Sequence, residues 1–395
     1  MAATSWKIVT LLYVQFSKTV RSVEAHPTLR HFPRFHRDHS AANLTAGSTR
    51  DMRKGSINAQ IGRKIARVST SSRLCRGTQY RSVCSVSRID QSFEDVDLNE
   101  FRERAFIPER PVFMTTSMDR FSPKKTISIP AATKWFSLTT KDGDSSRSRS
   151  ASNLILAQEY LTPFADTVLP YELTITHDAF QEYINKLKQQ QTEANLILIQ
   201  YLEPLFDPSD PNRTFYNFHA PLRLFLHANN PTCPPLPQLY IAQAQIADLP
   251  PQLRDDLPTP KIVMQAGKGD VYDANIWMGT PPTYTPFHRD PNPNLFVQLA
   301  GEKRVMVYPP NLGQAIYRWV QRMIGAGGSG RIRRVEMMEG KERELLDQAV
   351  WGNYEELGME TLVSPGDALF IPKGWWHSIK SAGTGITASV NWWFR

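Results

Sequence analysis

Beyond Val271 the chain breaks into short apolar segments rich in β-branched and aromatic residues, divided by tight turns. A closed β barrel accommodates that pattern and a helical bundle does not. Asn294 to Ala300 and Lys303 to Tyr308 read as two strands joined as a hairpin across Gly301-Glu302. Pro365-Gly366-Asp367 marks a turn, Ala368 to Pro372 a strand, and Ile386 to Phe394 a closing β run. Ala315 to Ile324 has helical character, and Glu342 to Leu357 reads as an acidic helix or helix pair. The glycine-rich stretch Gly325 to Gly330 between them has no strand before it and no Lys-Ser/Thr after it, which excludes a phosphate-cradling loop. The expected fold is mainly β with flanking helices (α+β), built on a jelly-roll core.

Upstream the signals are sparser. The 29 prolines among 395 residues weigh against an all-helical chain. His177 to Gln190 has apolar residues at helical spacing, whereas Leu196 to Tyr201, Leu222 to His227 and Leu239 to Ile246 read as strands. Lys141 to Asn153, rich in Ser and Arg, reads as a surface loop. This suggests a basic tail or targeting segment over 1–89, a flanking α/β region over 90–230 and the jelly-roll core over 231–395.

Residues 1–89 hold sixteen Lys and Arg against three acids, about +13. Against +8 for the whole chain this leaves about −5 for the remainder, so the basic character belongs to the N-terminal segment. Its Arg-rich, Ser-rich, acid-poor composition suggests a mitochondrial transit peptide. The alternatives are a secretory signal ending near Val23-Glu24-Ala25, or a disordered basic tail in the nucleus or cytoplasm, where it can hold RNA. Three cysteines without a CxxC pair support neither a disulfide framework nor a structural zinc site. No apolar run of about 20 residues is present, so no membrane-spanning helix is expected.

The chemistry concentrates at His288-Arg289-Asp290. On a strand, residues i and i+2 share a face, so His288 and Asp290 aim at one point while Arg289 faces away. A third ligand must come from elsewhere. His377, after the Pro-Gly-Asp turn and its strand, within Pro372-Lys373-Gly374-Trp375-Trp376-His377, has the right context. Two imidazoles and one carboxylate on one face suit Fe(II) with open positions opposite; a zinc hydrolase can use the same set. Alternation along the hairpin puts Asn294, Phe296, Gln298 and Lys303 on one face. A lysine inside a barrel is costly unless it meets an anion, which a carboxylate of a co-substrate would provide. Thr285 can donate a hydroxyl to the same carboxylate, or serve as a turn residue before Pro286; Tyr240 offers a phenol or fills the core.

Thr285-Pro286-Phe287-His288-Arg289-Asp290, the run Asn294 to Pro310, the run Pro365 to His377 and Val390-Asn391-Trp392-Trp393 together resemble the JmjC (cupin-like) family, in particular its small protein hydroxylases and the fungal-type cupin-like group. The likeness is clear from about Tyr240 to Trp393, fainter from Phe101 to His227 and absent over 1–89. It implies a double-stranded β-helix whose His288, Asp290 and His377 ligate Fe(II). It also implies that Lys303, assisted by Thr285 and Tyr240, pairs with the far carboxylate of 2-oxoglutarate, and that Asn294 and Asn391 line the co-substrate pocket. Gln243 falls in the family's Tyr-plus-Gln segment near the substrate, although ideal alternation would set it opposite Tyr240. Arg289 and Trp376, beside the ligands, are expected near the substrate too. The implied reaction consumes O2 and 2-oxoglutarate, with ascorbate as reductant in vitro, and hydroxylates or demethylates a macromolecule, foremost a protein side chain. Rival readings are a tRNA-modifying hydroxylase, a histone lysine demethylase and a non-catalytic metal-binding cupin. Small relatives often dimerise, so a homodimer is a further expectation. Two departures stand out: Arg289, where many relatives carry an aromatic, and a longer, glycine-rich Asn311 to Thr361, both with consequences for substrate access.

Overall fold

In a computed structural model of the chain, the described residues are 84–115, 129–138, 154–325, 335–353 and 357–395, all within one compact unit, Ser82–Arg395. The first strands are short: β1 (Cys84–Ser85), β2 (Ser87–Ile89), β3 (Val112–Met114), β4 (Phe136–Leu138) and β5 (Leu154–Leu156). Longer ones follow: β6 (Val168–Thr174), β7 (Phe215–Pro221), β8 (Leu239–Gln245), β9 (Val271–Gly279), β10 (Tyr284–Arg289), β11 (Asn294–Ala300) and β12 (Glu302–Tyr308). The last four are β13 (Met359–Val363), β14 (Ala368–Ile371), β15 (Trp376–Ala382) and β16 (Thr387–Phe394).

The major sheet runs β2-β3-β14-β11-β16-β9-β8-β6-β7 and the minor sheet β1-β13-β12-β15-β10, with β4 and β5 paired on their own. From β9 onward consecutive strands alternate between the two sheets, apart from the step from β12 to β13. That winding is a jelly roll, as the spacing of strands and turns leads one to expect. The back of the major sheet carries most of the apolar core, in which Phe101 and Phe106 meet Phe370 and Phe394.

The expected hairpin between β11 and β12 does not form. β11 pairs with β14 and β16, while β12 pairs with β13 and β15. Gly301, with φ +61°, turns the chain out of one sheet and into the other, and a Cβ there would stand 2.6 Å from the Ile386 carbonyl oxygen. The inference about faces survives the wrong pairing, because both strands present their inner faces to the same interior. Asn294 and Phe296 approach it from the major sheet and Lys303 from the minor one. Gln298 does not reach it: the register shifts between Gln298 and Ala300, and its amide nitrogen is spent on Ala300 O, Gly301 O and Thr387 Oγ1.

Helix α1 (His177–Gln189) forms where expected and buries Phe180, Tyr183, Ile184 and Leu187. The two apolar runs expected as strands on either side of β7 are helices, α2 (Glu193–Leu202) and α3 (Leu222–Ala228). A short unbroken apolar run does not separate a buried strand from a buried helix, and here capping and packing decide. The Thr192 hydroxyl accepts the Asn195 N–H at 3.2 Å, and Leu198 and Leu202, four apart, enter the core. Helix α4 (Pro310–Ile324) ends on Gly325 at φ +69°, and α5 (Gly340–Gln348), continued by a π turn over Ala349–Asn353, lies where the acidic helix is expected.

Two boundaries move. β1 and β2, inside the segment assigned to the tail, pair with β13 and β3, so the folded body begins by Cys84 rather than near Ile89. The division at residue 230 crosses a continuous sheet, since β6 pairs with both β7 and β8. The candidate targeting segment before residue 84, the Ser/Arg-rich stretch of 141–153 and the rest of the glycine-rich stretch, 326–330, lie outside the described residues. No described helix is long and apolar enough to cross a membrane.

Candidate metal centre

Among the described residues, one cluster of His, Cys, Asp and Glu is arranged as a metal site: His288, Asp290 and His377, with one donor atom from each lying within 4.8 Å of the others. His288 is on β10 and His377 is its cross-strand partner on β15, with ring centroids 4.2 Å apart. Asp290 follows the end of β10, and its backbone carbonyl accepts the Gly374 N–H at 3.1 Å, which ties it to the turn that delivers His377. The nearest approaches are His288 Nε2 to Asp290 Oδ1 and His377 Nε2 to Asp290 Oδ2, each 3.6 Å.

The donor set fits a metal ion. His288 Nδ1 faces the Pro286 carbonyl at 2.8 Å and His377 Nδ1 faces the Trp375 carbonyl at 3.3 Å. A carbonyl only accepts, so each Nδ1 carries the proton and each Nε2 keeps its lone pair for the shared point. Burial pushes the Asp290 carboxyl up, but the facing His377 and His288 and the hydrogen bonds from Trp393 and Asn294 outweigh it and hold the group below the ordinary carboxylate value. The centre thus offers a carboxylate and two imidazole Nε2 atoms as donors.

Beside the centre lies a cavity between the two sheets. From the minor sheet it is lined by Thr285, Lys303 and Ile379, and from the major sheet by Asn294, Phe296, Ser389 and Asn391. Trp277, Trp393 and Tyr240 complete its walls. Lys303 is 1% exposed, donates to Ser389 Oγ at 2.8 Å and Tyr240 OH at 3.3 Å, and lies 5.6 Å over the Phe296 ring. Thr285 and His288 both face the cavity although three residues apart, because the register shifts between them and inserts one residue opposite Ser378.

Three residues expected near the substrate do not line this cavity. Arg289 and Trp376 are cross-strand partners on the outer face of the minor sheet, with the guanidinium 5.5 Å over the indole. Trp376 is fully buried beneath α4, against Tyr317, where a Cβ on Gly313 would lie 2.2 Å from its ring. Strand alternation decides this: neighbours of an inward ligand point outward. Gln243 is exposed at φ +56° in a bulge of β8, which shifts the register by one residue so that Gln245, rather than Ala244, falls opposite Asn275. The described part of the long segment after β12 that precedes β13 also packs outside: Trp351 Nε1 donates to Ser378 Oγ, and Lys380 pairs with Asp347. Sequence reasoning missed Ser389, Trp277 and Trp393. Ser389 and Trp393 were within reach, lying two residues either side of Asn391 on one strand.

Residues 159–395, more than half of the chain, match the cupin-like domain family, and the chain belongs to it. Among its relatives are the lysine-specific demethylase JMJ30 of Arabidopsis thaliana (28% identical over 162 residues, 40% of this chain and 34% of that protein) and the lysine-specific demethylase 8 of Danio rerio (28% over 156 residues, 39% and 36%). The bifunctional peptidase and (3S)-lysyl hydroxylase JMJD7 of Homo sapiens is 26% identical over 172 residues, 40% of this chain and 54% of that protein. The matched part of the chain spans about a third to a half of the length of these relatives.

Proposed function

We propose that the chain is an Fe(II)- and 2-oxoglutarate-dependent oxygenase that hydroxylates a protein side chain, or demethylates one through the same oxidation. The observation that carries the reading is the coexistence, in one cavity, of the His288–Asp290–His377 donor set and the buried Lys303 ammonium. A buried cation in the same cavity as a centre that a divalent ion would leave with net positive charge suits a co-substrate with a carboxylate at each end. Relatives whose names describe lysine demethylation and lysyl hydroxylation point the same way.

Iron(II), when bound, supplies the redox chemistry that couples conversion of 2-oxoglutarate and O2 to succinate and CO2 with insertion of oxygen into a C–H bond. The chain's own residues do the rest. His288 and His377 keep their Nε2 lone pairs available because Pro286 O and Trp375 O hold the Nδ1 protons. Lys303, with the Tyr240, Ser389 and Thr285 hydroxyls around it, neutralises and orients the far carboxylate. Phe296, Trp277 and Trp393 wall the cavity and limit water beside the reacting carbon.

Lys303→Met tests the reading. Calorimetric titration of the Mn(II)-loaded protein is expected to show 2-oxoglutarate binding weakened at least about tenfold, as loss of a charge-assisted contact requires. Unchanged affinity would remove Lys303 from the co-substrate site and the reading with it. The reaction class is then decided on a modified protein substrate: gain of one oxygen atom means hydroxylation, and loss of a methylene unit means demethylation.

A further inference from the structure

Asp290 is the ligand with the least support from regular structure. It sits just past the end of β10, in the connection to β11, so nothing in a strand ladder fixes its side chain. Two neutral donors from the opposite sheet reach it instead. Asn294 Nδ2 donates to Asp290 Oδ2 at 3.0 Å, and the Trp393 side chain also donates to the carboxylate. Asn294 and Trp393 are cross-strand partners at the meeting of β11 and β16, and the Phe394 N–H closes that end on Pro293 O at 3.1 Å. One row further in, Asn391 Nδ2 donates to Asn294 Oδ1 at 2.8 Å.

The last contact has a consequence for the first. A carboxamide presents a carbonyl at one end and an amino group at the other, and rotation by half a turn exchanges them. With Asn391 donating to its oxygen, Asn294 turns its amino group to Asp290. The reverse orientation would set a carbonyl against the carboxylate and an amino group against an amino group, so both contacts would become repulsive. Asn294 is 2% exposed and Asn391 5% exposed, so water offers little alternative to either.

We infer that Asn294 and Trp393 are positioning residues for the metal ligand Asp290, and that Asn391 acts through Asn294 by locking its amide in the donating orientation. Asn391 therefore governs metal affinity without being a ligand. The inference rests on the metal-site reading above but not on 2-oxoglutarate, and it separates Asn294 and Asn391 from a role limited to lining the co-substrate pocket.

The test is Co(II) titration of the purified full chain without 2-oxoglutarate, read by the visible absorption of the bound ion and by calorimetry. The proteins compared are wild type, His288→Ala, Asn391→Leu and Trp393→Phe. Leucine keeps the branched skeleton of Asn391 and deletes its donor, and phenylalanine keeps a ring and deletes the indole N–H. Wild type is expected to bind and His288→Ala to lose binding. Asn391→Leu and Trp393→Phe should each bind about ten- to hundredfold more weakly, the usual scale for loss of an outer-shell hydrogen bond, with an altered absorption band. A merely structural role would lower the melting temperature and leave the band of the bound ion unchanged. If wild type binds, His288→Ala does not, and both Asn391→Leu and Trp393→Phe match wild type in affinity and spectrum, the positioning inference is overturned while the metal site stands. If wild type and His288→Ala behave alike, the metal-site reading itself falls, and the inference with it. Trp393→Phe decides the matter should Asn391→Leu fail to fold.

Discussion

Gly279→Ala places one methyl group where the cavity has no room for it. Tyr240 and Gly279 are cross-strand partners, and the next strand over carries Ser389, which shares the Lys303 ammonium with the Tyr240 hydroxyl. The Tyr240 ring therefore lies across the bare backbone of Gly279 to reach Lys303. A Cβ on residue 279 would stand 2.4 Å from Tyr240 Cδ2 and 2.9 Å from Thr283 Cγ2. Ordinary carbon contacts are about 3.5 to 4.0 Å, so the ring must shift by about 1 Å off β9. The Lys303–Tyr240 contact is 3.3 Å already, and a shift of that size takes it beyond hydrogen-bonding range. Overpacking of this kind costs about 1 to 3 kcal/mol of stability. In the co-substrate complex the displaced hydroxyl would also lose its bond to the far carboxylate, and a hydrogen bond to a charged group is worth about 1.5 to 3 kcal/mol, which corresponds to about ten- to 150-fold weaker 2-oxoglutarate binding. Urea denaturation reads the first quantity and calorimetric titration the second. A variant with wild-type stability and wild-type affinity would refute the reasoning, because it would mean the ring is not seated against Gly279.

Two further predictions concern the rest of the chain. Asp256 is 1% exposed and accepts from Lys134 Nζ, Trp135 Nε1 and Tyr160 OH at 2.6, 2.8 and 2.5 Å. Burial alone would raise its carboxyl, but those bonds hold it below the ordinary value, so its contribution is complete above pH about 3.9 and fades as pH falls through the lower folded value. Asp256→Asn should thus lose about 2 to 3 kcal/mol at pH 7, with the gap to wild type narrowing below pH about 4 in urea titrations; a gap independent of pH would contradict the assignment. For the N-terminal segment we propose mitochondrial targeting: residues 1–60 fused to a fluorescent reporter should co-localise with mitochondria, and a diffuse or nuclear signal would reject it.

What the sequence made legible followed local rules. The i, i+2 relation of His288 and Asp290, the turn before His377 and the turn-punctuated strands are short-range patterns, and the structure brings their residues together. What it concealed depended on the sheets as a whole. Nothing local tells a tight hairpin at Gly301 from a crossing between sheets, since both need a residue at positive φ. Leu196 to Tyr201 and Leu222 to His227 lack a period that separates helix from strand, and packing against the back of the major sheet settles them. A bulge in β10 brings Thr285 to the face of His288, which no local pattern announces, whereas Gln243 stands outside the cavity as the alternation begun by Tyr240 already requires. Arg289 and Trp376 were expected near the substrate through nearness in sequence to a ligand, and alternation points both away from the cavity.

The central claim is that His288, Asp290 and His377 hold an iron that turns over 2-oxoglutarate. The most direct test supplies the purified protein with Fe(II), ascorbate, O2 and 2-oxoglutarate and measures succinate, for wild type beside Asp290→Ala. The account predicts slow succinate formation by wild type even without a protein substrate, and its loss in the variant. Equal succinate from both proteins, or none from a wild type that binds neither Fe(II) nor 2-oxoglutarate, would contradict it.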